Sequence, residues 1–308
     1  MPLSTCIKLP FHWVNVFTTQ QDRGNPLPVF LMDSPSEGDP NKVLSKASMQ
    51  AIALMMNQSE TVFIENSMSE VPYLHIYTPM QELPFAGHPI IGALGGLNRL
   101  GNDVVQSVET LAGNVAIKMD NAGVYWLKTP KSPTMRESSL DIATTAEMLN
   151  LPTSMIKHAP VWVNSGSEQL LVELESIEAL NNIEINLERF AKHATLYAGR
   201  TMLYLWTRHE GEIEARYLYL KNGALGEDSG TGSACANLGG YQLLMGNSDL
   251  DWTIQQARMI EKDCTLYLRV TNDHEIWIGG ANRWLGSGEL NWEEPEKCHP
   301  SAVNAGSD

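Results

Sequence analysis

Four side chains in this sequence are of the types that move protons or hold a small charged molecule, and each sits where the chain changes direction. Glu60 stands at the entrance of the β-branched and aromatic run Thr61-Val62-Phe63-Ile64. A carboxyl at a strand entrance can take a proton from one atom and return it at another. His88 lies between Gly87 and Pro89 in a turn, harder to explain as a core residue than His75, which falls inside the alternating run Tyr73 to Thr78. Asp228 and Ser233 flank Ser229-Gly230-Thr231-Gly232, a glycine-rich turn that feeds the small-residue helical pattern Ala234 to Met245. The first N–H groups of a helix have no intrahelical partner and lie at the positive end of its dipole, so the turn at Thr231 and Gly232 can cradle a carboxylate or phosphate. These residues alone leave simpler roles open: Glu60 as a solvated strand-edge acid, His88 as a turn stabiliser, and Asp228 or Ser233 as helix N-caps.

The elements that must position these groups come in two similar sets. In the first half, alternating or β-branched runs at Phe11–Phe17, Leu27–Met32, Glu60–Ile64 and Tyr73–Thr78 read as strands, and Ser45–Met56 has helical spacing. Ala86-Gly87-His88-Pro89 then opens a helical run from Ile90 to Leu100, with Pro89 in the first turn, where its missing N–H costs nothing. Short strands fill 104–127, and Thr129-Pro130-Lys131-Ser132-Pro133 marks a domain boundary. In the second half, Asp141–Leu149 and Ile185–His193 read as helices. Strands are expected near 161–163, 169–174, 202–208, 213–220, 252–256, 264–270 and 275–279. Two halves, each with strands, a glycine-rich turn and an apolar helix, predict a duplicated α+β architecture with a cleft between.

Composition narrows the partners. With 36 acidic against 21 basic residues the net charge is −15, and with no Lys/Arg cluster the chain repels phosphate backbones, so no nucleic acid is expected. There is no apolar run of membrane-spanning length. Cys6, Cys235, Cys264 and Cys298 lack CxxC spacing and the eight histidines lack HExxH, so neither a metal site nor a disulfide framework is expected; reduced thiols fit a cytoplasmic protein. The glycine turn is no P-loop, because no Lys follows Gly232, and no dinucleotide fingerprint, because Cys235 takes the third glycine position.

Taken in order, several blocks resemble the PhzF-like isomerases of phenazine biosynthesis. They are Val14-Asn15-Val16-Phe17-Thr18 with Gly24-Asn25-Pro26, Asn57 through Phe63, Thr78-Pro79, Glu82 through Pro89, Glu109 through Gly113, Ser165-Gly166, and Gly226-Glu227-Asp228 through Ala234. The resemblance implies a diaminopimelate epimerase-like fold: two similar domains, each a β-sheet rolled around a central helix, with the active site between them. Residues 1–129, with a C-terminal return strand at about 284–297, would form one domain and 130–283 the other, leaving 298–308 as a disordered tail. By similarity Glu60 is the catalytic acid/base, and His88, Asp228, Ser233, Gly87, Gly232 and Thr231 hold the substrate. The resemblance implies a cofactor-independent isomerase, acting as a homodimer. It would shift a proton between carbons of a small, carboxylate-bearing, amino-substituted cyclic molecule similar to trans-2,3-dihydro-3-hydroxyanthranilate.

The chain departs from the family pattern twice. Asp228-Ser229-Gly230 replaces Asp-Pro before the glycine turn, and Ile260-Glu261-Lys262-Asp263 stands where a Gly-Arg-Pro-Ser block is usual, which puts the substrate in doubt. Two-cysteine epimerases of the same fold carry a thiol at each helix start. Here Ala86 and Ser229 occupy those positions, so two-thiol racemisation is not expected, and Cys235 reads as a small buried residue. A binding protein that has kept the cleft is the remaining rival.

Overall fold

The computed structural model describes residues 6–32, 44–102 and 105–294. In the first half these form β1 (Cys6–Val16), β2 (Asn25–Leu31), α1 (Lys46–Met56), β3 (Thr61–Glu65), β4 (Tyr73–Tyr77), β5 (Glu82–Leu83), α2 (Gly87–Arg99), β6 (Ser107–Thr110), β7 (Gly113–Met119) and β8 (Tyr125–Lys128). The chain continues through β9 (Thr134–Glu137), α3 (Ile142–Leu149), β10 (Val161–Asn164), β11 (Gln169–Glu173), α4 (Ile177–Asn181), α5 (Leu187–His193), β12 (Thr195–Tyr197), β13 (Arg200–His209), β14 (Glu212–Lys221) and β15 (Ala224–Asp228). It ends with α6 (Gly232–Leu244), β16 (Leu250–Gln256), β17 (Cys264–Val270), β18 (Ile276–Gly280) and β19 (Asn282–Glu293).

Two of the helices are buried around their whole circumference, which a helix tolerates only at the centre of a core. In α2 the buried set runs from Gly87 to Leu97 with Gly95 alone excepted, and in α6 it includes Ala234, Cys235, Ala236, Leu238, Gly239 and Gly240. Strands β1, β2, β3, β4 and β19 pack on α2, whereas α6 is covered by β9, β10, β11, β17 and β18. β7 joins the two sets by pairing with β6 on one side and β8 on the other. β19 returns to the first set, antiparallel to β1 from Cys6↔Glu293 to Val16↔Asn282; residues 295–308, with the expected tail, lie outside the described residues.

Most expected elements recur with ends shifted by a few residues. Glu60 immediately precedes β3, and α2 starts at Gly87, earlier than the run from Ile90 suggests, because Ala86 is its N-cap. Ala224–Asp228, for which no element was expected, is a strand, because it closes a hairpin with β14 that sets Asp228 opposite Tyr217. Among the described residues no helix is long and apolar enough to cross a membrane.

Candidate active site

The starts of α2 and α6 abut. A Cβ placed on Gly232 would stand 3.2 Å from the Gly87 Cα and 3.3 Å from the His88 nitrogen, and one on Gly87 would meet Ile278 Cδ1 at 2.7 Å. Only glycine at both positions lets the two backbones approach this closely. Neither N-cap residue, Ala86 nor Thr231, caps its helix with its side chain. Two positive helix ends therefore converge on one place, where an anion is favoured.

His88, 4 % exposed, is tied at both ring nitrogens. Its Nε2 lies 3.2 Å from the Asn25 carbonyl oxygen. A carbonyl only accepts, so Nε2 carries a hydrogen and donates it. That leaves Nδ1 facing Glu60 Oε2 at 3.0 Å. Glu60 is 19 % exposed, open enough to meet a ligand and dry enough to feel its neighbours. The bond to Glu60 and the bond that orients the ring are thus made by different nitrogens.

Across the junction Asp228 is bound by fixed donors. Asn25 Nδ2 donates to its Oδ1 at 3.0 Å and to the Gly230 carbonyl at 3.1 Å, and Thr231 Oγ1 donates to its Oδ2 at 2.5 Å. Gln256, fully buried, receives the Thr231 N–H at 3.2 Å and donates to Thr231 Oγ1 and to the Asp228 carbonyl, both at 3.0 Å. Burial, then the nearby negative charge of Glu60, push Asp228 up to about 6, against the opposing pull of the Thr231 bond, His88 and Asn25. Asp228 is not a helix cap: it ends β15, and Thr231 is the N-cap of α6. Ser233, the second residue of α6, accepts a bond from Gln169 Nε2 at 2.8 Å.

Glu60, His88, Gly87, Asp228, Thr231, Gly232 and Ser233 are thus brought to one junction by β3, α2, β15 and α6. Asn25 links its two sides, its carbonyl holding His88 and its side chain holding Asp228. Sequence reasoning singled out Gly24-Asn25-Pro26 as a block of the family resemblance and gave the Asn25 side chain no role. Its signal was an amide side chain between a glycine and a proline; Gly24 has φ +93° and a Cβ there would stand 2.7 Å from the Val16 carbonyl. The departing stretch Ile260–Asp263 supports this loop. Lys262 accepts the Gly24 N–H at 2.7 Å through its carbonyl, Arg23 donates to the Glu261 carbonyl, and Arg23 Nε lies 3.3 Å from Asp263 Oδ2.

The other candidates are used elsewhere. His75 is engaged by Glu65 at 3.1 Å and Glu82 at 3.2 Å. Cys235 and Cys264 are buried, and burial pushes both thiols well above the ordinary range, which disfavours the reactive thiolate. A separate hollow of about 210 Å³ at the far end of α2, bordered by Asn98, Arg99, Tyr125, Asn282 and Trp284, has no carboxylate or imidazole in its lining.

Known proteins resemble this chain in sequence and in fold. A family model described as "Phenazine biosynthesis-like protein" matches residues 14–281. An uncharacterised isomerase of Pasteurella multocida (strain Pm70) is 36% identical over 284 residues, 91% of this chain and 93% of that protein. Trans-2,3-dihydro-3-hydroxyanthranilate isomerase of Pseudomonas fluorescens is 30% identical over 173 residues, 54% of this chain and 58% of that protein. Among solved structures, a PhzF-family phenazine biosynthesis protein of Bacillus anthracis matches with a TM-score of 0.74 at 19% identity, covering 92% of this chain and 99% of that one. A hydroxyproline epimerase of Agrobacterium vitis matches with a TM-score of 0.60 at 10% identity over 93% and 92% of the two chains. The fold is therefore the α+β architecture common to PhzF proteins and such epimerases. With its family model spanning both helix starts and both sides of their junction, the chain belongs to the phenazine biosynthesis-like family.

Proposed function

We propose that this protein is an isomerase that moves a proton between two carbons of a small carboxylate-bearing substrate, with Glu60 as the acid/base. The observation that carries the reading is the Glu60–His88 pair at 3.0 Å, whose far nitrogen is fixed on the Asn25 carbonyl. Ionised Glu60 takes a proton from a substrate carbon and the electron pair of the broken C–H bond moves into the substrate π-system. Protonated Glu60 then returns the proton at a second carbon as the double bond shifts, so nothing is consumed. Negative charge developing on the substrate faces the starts of α2 and α6, while Asp228 is placed to hold a substrate amino group. The names of relatives support the chemical class, an isomerase and, in the Pseudomonas fluorescens relative, one acting on trans-2,3-dihydro-3-hydroxyanthranilate. Two-thiol racemisation is disfavoured by Ala86 and Ser229 at the helix starts and by the burial of Cys235 and Cys264.

Turnover in D2O tests this, using trans-2,3-dihydro-3-hydroxyanthranilate and a panel of amino acids. The expected result is deuterium at a ring carbon of the first compound, lost in Glu60→Gln. Label at an amino-acid α-carbon that survives Glu60→Gln would overturn the assignment of the base.

A further inference from the structure

Behind Ser233 lies a chain of buried amides that no step of the proton shift uses. Asn237, 0 % exposed, lies inside an apolar stretch of α6, and Gln169, 2 % exposed, opens β11 ahead of Leu170, Leu171 and Val172. A buried amide is retained when its hydrogen bonds are complete, and these two bond in series. The Ser165 N–H donates to Asn237 Oδ1 at 2.7 Å, so that atom is the oxygen, and Asn237 Nδ2 donates to the Ser167 carbonyl at 2.7 Å. Backbone groups on both sides thus fix which way the Asn237 amide points. Asn237 Nδ2 also donates to Gln169 Oε1 at 2.7 Å, which turns the Gln169 nitrogen towards Ser233 Oγ at 2.8 Å. An amide nitrogen only donates. Ser233 therefore accepts from Gln169, and its own O–H is free to donate only away from it.

Tyr217 stands opposite Asp228 in the β14–β15 hairpin. Burial pushes that phenol well above its usual range, so it keeps its proton. The positive charge of Arg200 acts on the same phenol, and Arg200 is held by the Ser167 hydroxyl, by the Glu168 carbonyl at 3.4 Å and by the Tyr197 hydroxyl at 3.2 Å. Ser233 and the uncapped start of α6 thus form a wall of donors at a junction whose acidic members, Glu60 and Asp228, are acceptors.

We infer that Asn237 and Gln169 are positioning residues that lock Ser233 as a hydrogen-bond donor, making this wall the subsite for the substrate's carboxylate. The inference rests on the reading above that the cleft takes a carboxylate. It adds that the subsite's polarity is set two residues behind the contact. A hydrogen bond to a charged group carries roughly a tenfold to hundredfold effect on affinity.

The test is calorimetric binding of anthranilate, with aniline as its carboxylate-free counterpart, to wild type, Gln169→Met, Gln169→Glu, Ser233→Ala and the Gln169→Met/Ser233→Ala double variant. Wild type is expected to prefer anthranilate. Gln169→Met weakens anthranilate about tenfold or more and leaves aniline unchanged, and adding Ser233→Ala costs little further, because the two act through one bond. Gln169→Glu supplies a readout that a packing role would not move. Ionised, it accepts from Ser233 and turns the hydroxyl away; protonated, its O–H donates as the amide did. Its deficit relative to wild type, a ratio in which the ligand's own ionisation cancels, therefore closes between about pH 9 and about pH 5. Additive losses in the double variant, a Gln169→Met affinity equal to wild type, or a Gln169→Glu deficit that does not shrink in acid would overturn the relay. Wild-type binding of anthranilate no tighter than aniline would overturn the carboxylate reading of this wall. Deuterium exchange by Glu60, scored separately, reports on the proton shift and is independent of either result.

Discussion

At the start of α2 the side chain on the helix is an imidazole whose carboxylate partner can trade a proton with it. At the start of α6 the carboxylate is enclosed by donors with nothing to trade. His88 and Glu60 are joined by one bond of 3.0 Å, and Glu60 is left part-exposed. Asp228 accepts from both Asn25 and Thr231, with Gln256 fixing Thr231 behind it. Similar backbone devices, a glycine-bearing start without a side-chain cap, thus carry different chemistry. In the proposed mechanism one start supplies a movable proton and the other a fixed field. The difference follows from the number of locked partners rather than from the carboxylates themselves.

The largest expected effect comes from removing the mobile side. His88→Leu takes away the group that orients Glu60 and leaves the Asn25 carbonyl without its donor, and turnover should fall roughly 10²- to 10⁴-fold. Steady-state rates on the substrate found in the isotope experiment check this. If the rate changed less than threefold, the pair would not be the site of proton transfer.

Bringing the two starts apart should come next. Gly232→Ala sets a Cβ 3.2 Å from the Gly87 Cα, so either backbone must give, at a cost of about 1–3 kcal/mol. A lowered denaturation midpoint with binding weakened more than folding is expected; unchanged ligand affinity would mean that the contact does not shape the site.

The smallest effect distinguishes the fixed side. Burial and Glu60 raise Asp228 to about 6, so the folded protein holds that proton more tightly than the unfolded chain does. Its contribution to stability is complete below the unfolded carboxylate range and is lost as pH rises through about 6. Asp228→Asn has no such proton to lose. The melting temperature of the variant minus that of wild type should therefore increase by a few degrees between about pH 4 and about pH 7.5. A difference that is flat with pH would mean that Asp228 is not strained by its neighbours.

The helix starts and the carboxylates were legible in the sequence because each has a local signature: glycine beside a small-residue helix, proline in a first turn, an acid at a strand entrance. The amides were not. Asn25 meets Asp228 across 203 residues and Gln169 meets Ser233 across 64, so no spacing rule joins them. What could have marked them is solvation: Asn237 within Ala-Cys-Ala-Asn-Leu-Gly-Gly and Gln169 ahead of Leu-Leu-Val are polar groups in apolar runs, which a core accepts only with partners. The return strand, expected at about 284–297 only from the family resemblance, had no inward alternation of its own to reveal it. Its burial pattern is exposed or intermediate throughout, and its long pairing with β1 makes it a strand.

The asymmetry between the two sides is most directly tested by washing deuterium into the substrate with Glu60→Gln and Asp228→Asn measured side by side at saturating ligand. The account predicts that Glu60→Gln binds ligand but exchanges no carbon-bound proton, whereas Asp228→Asn binds more weakly and, once saturated, still exchanges. Exchange that persists in Glu60→Gln and disappears in Asp228→Asn would contradict it.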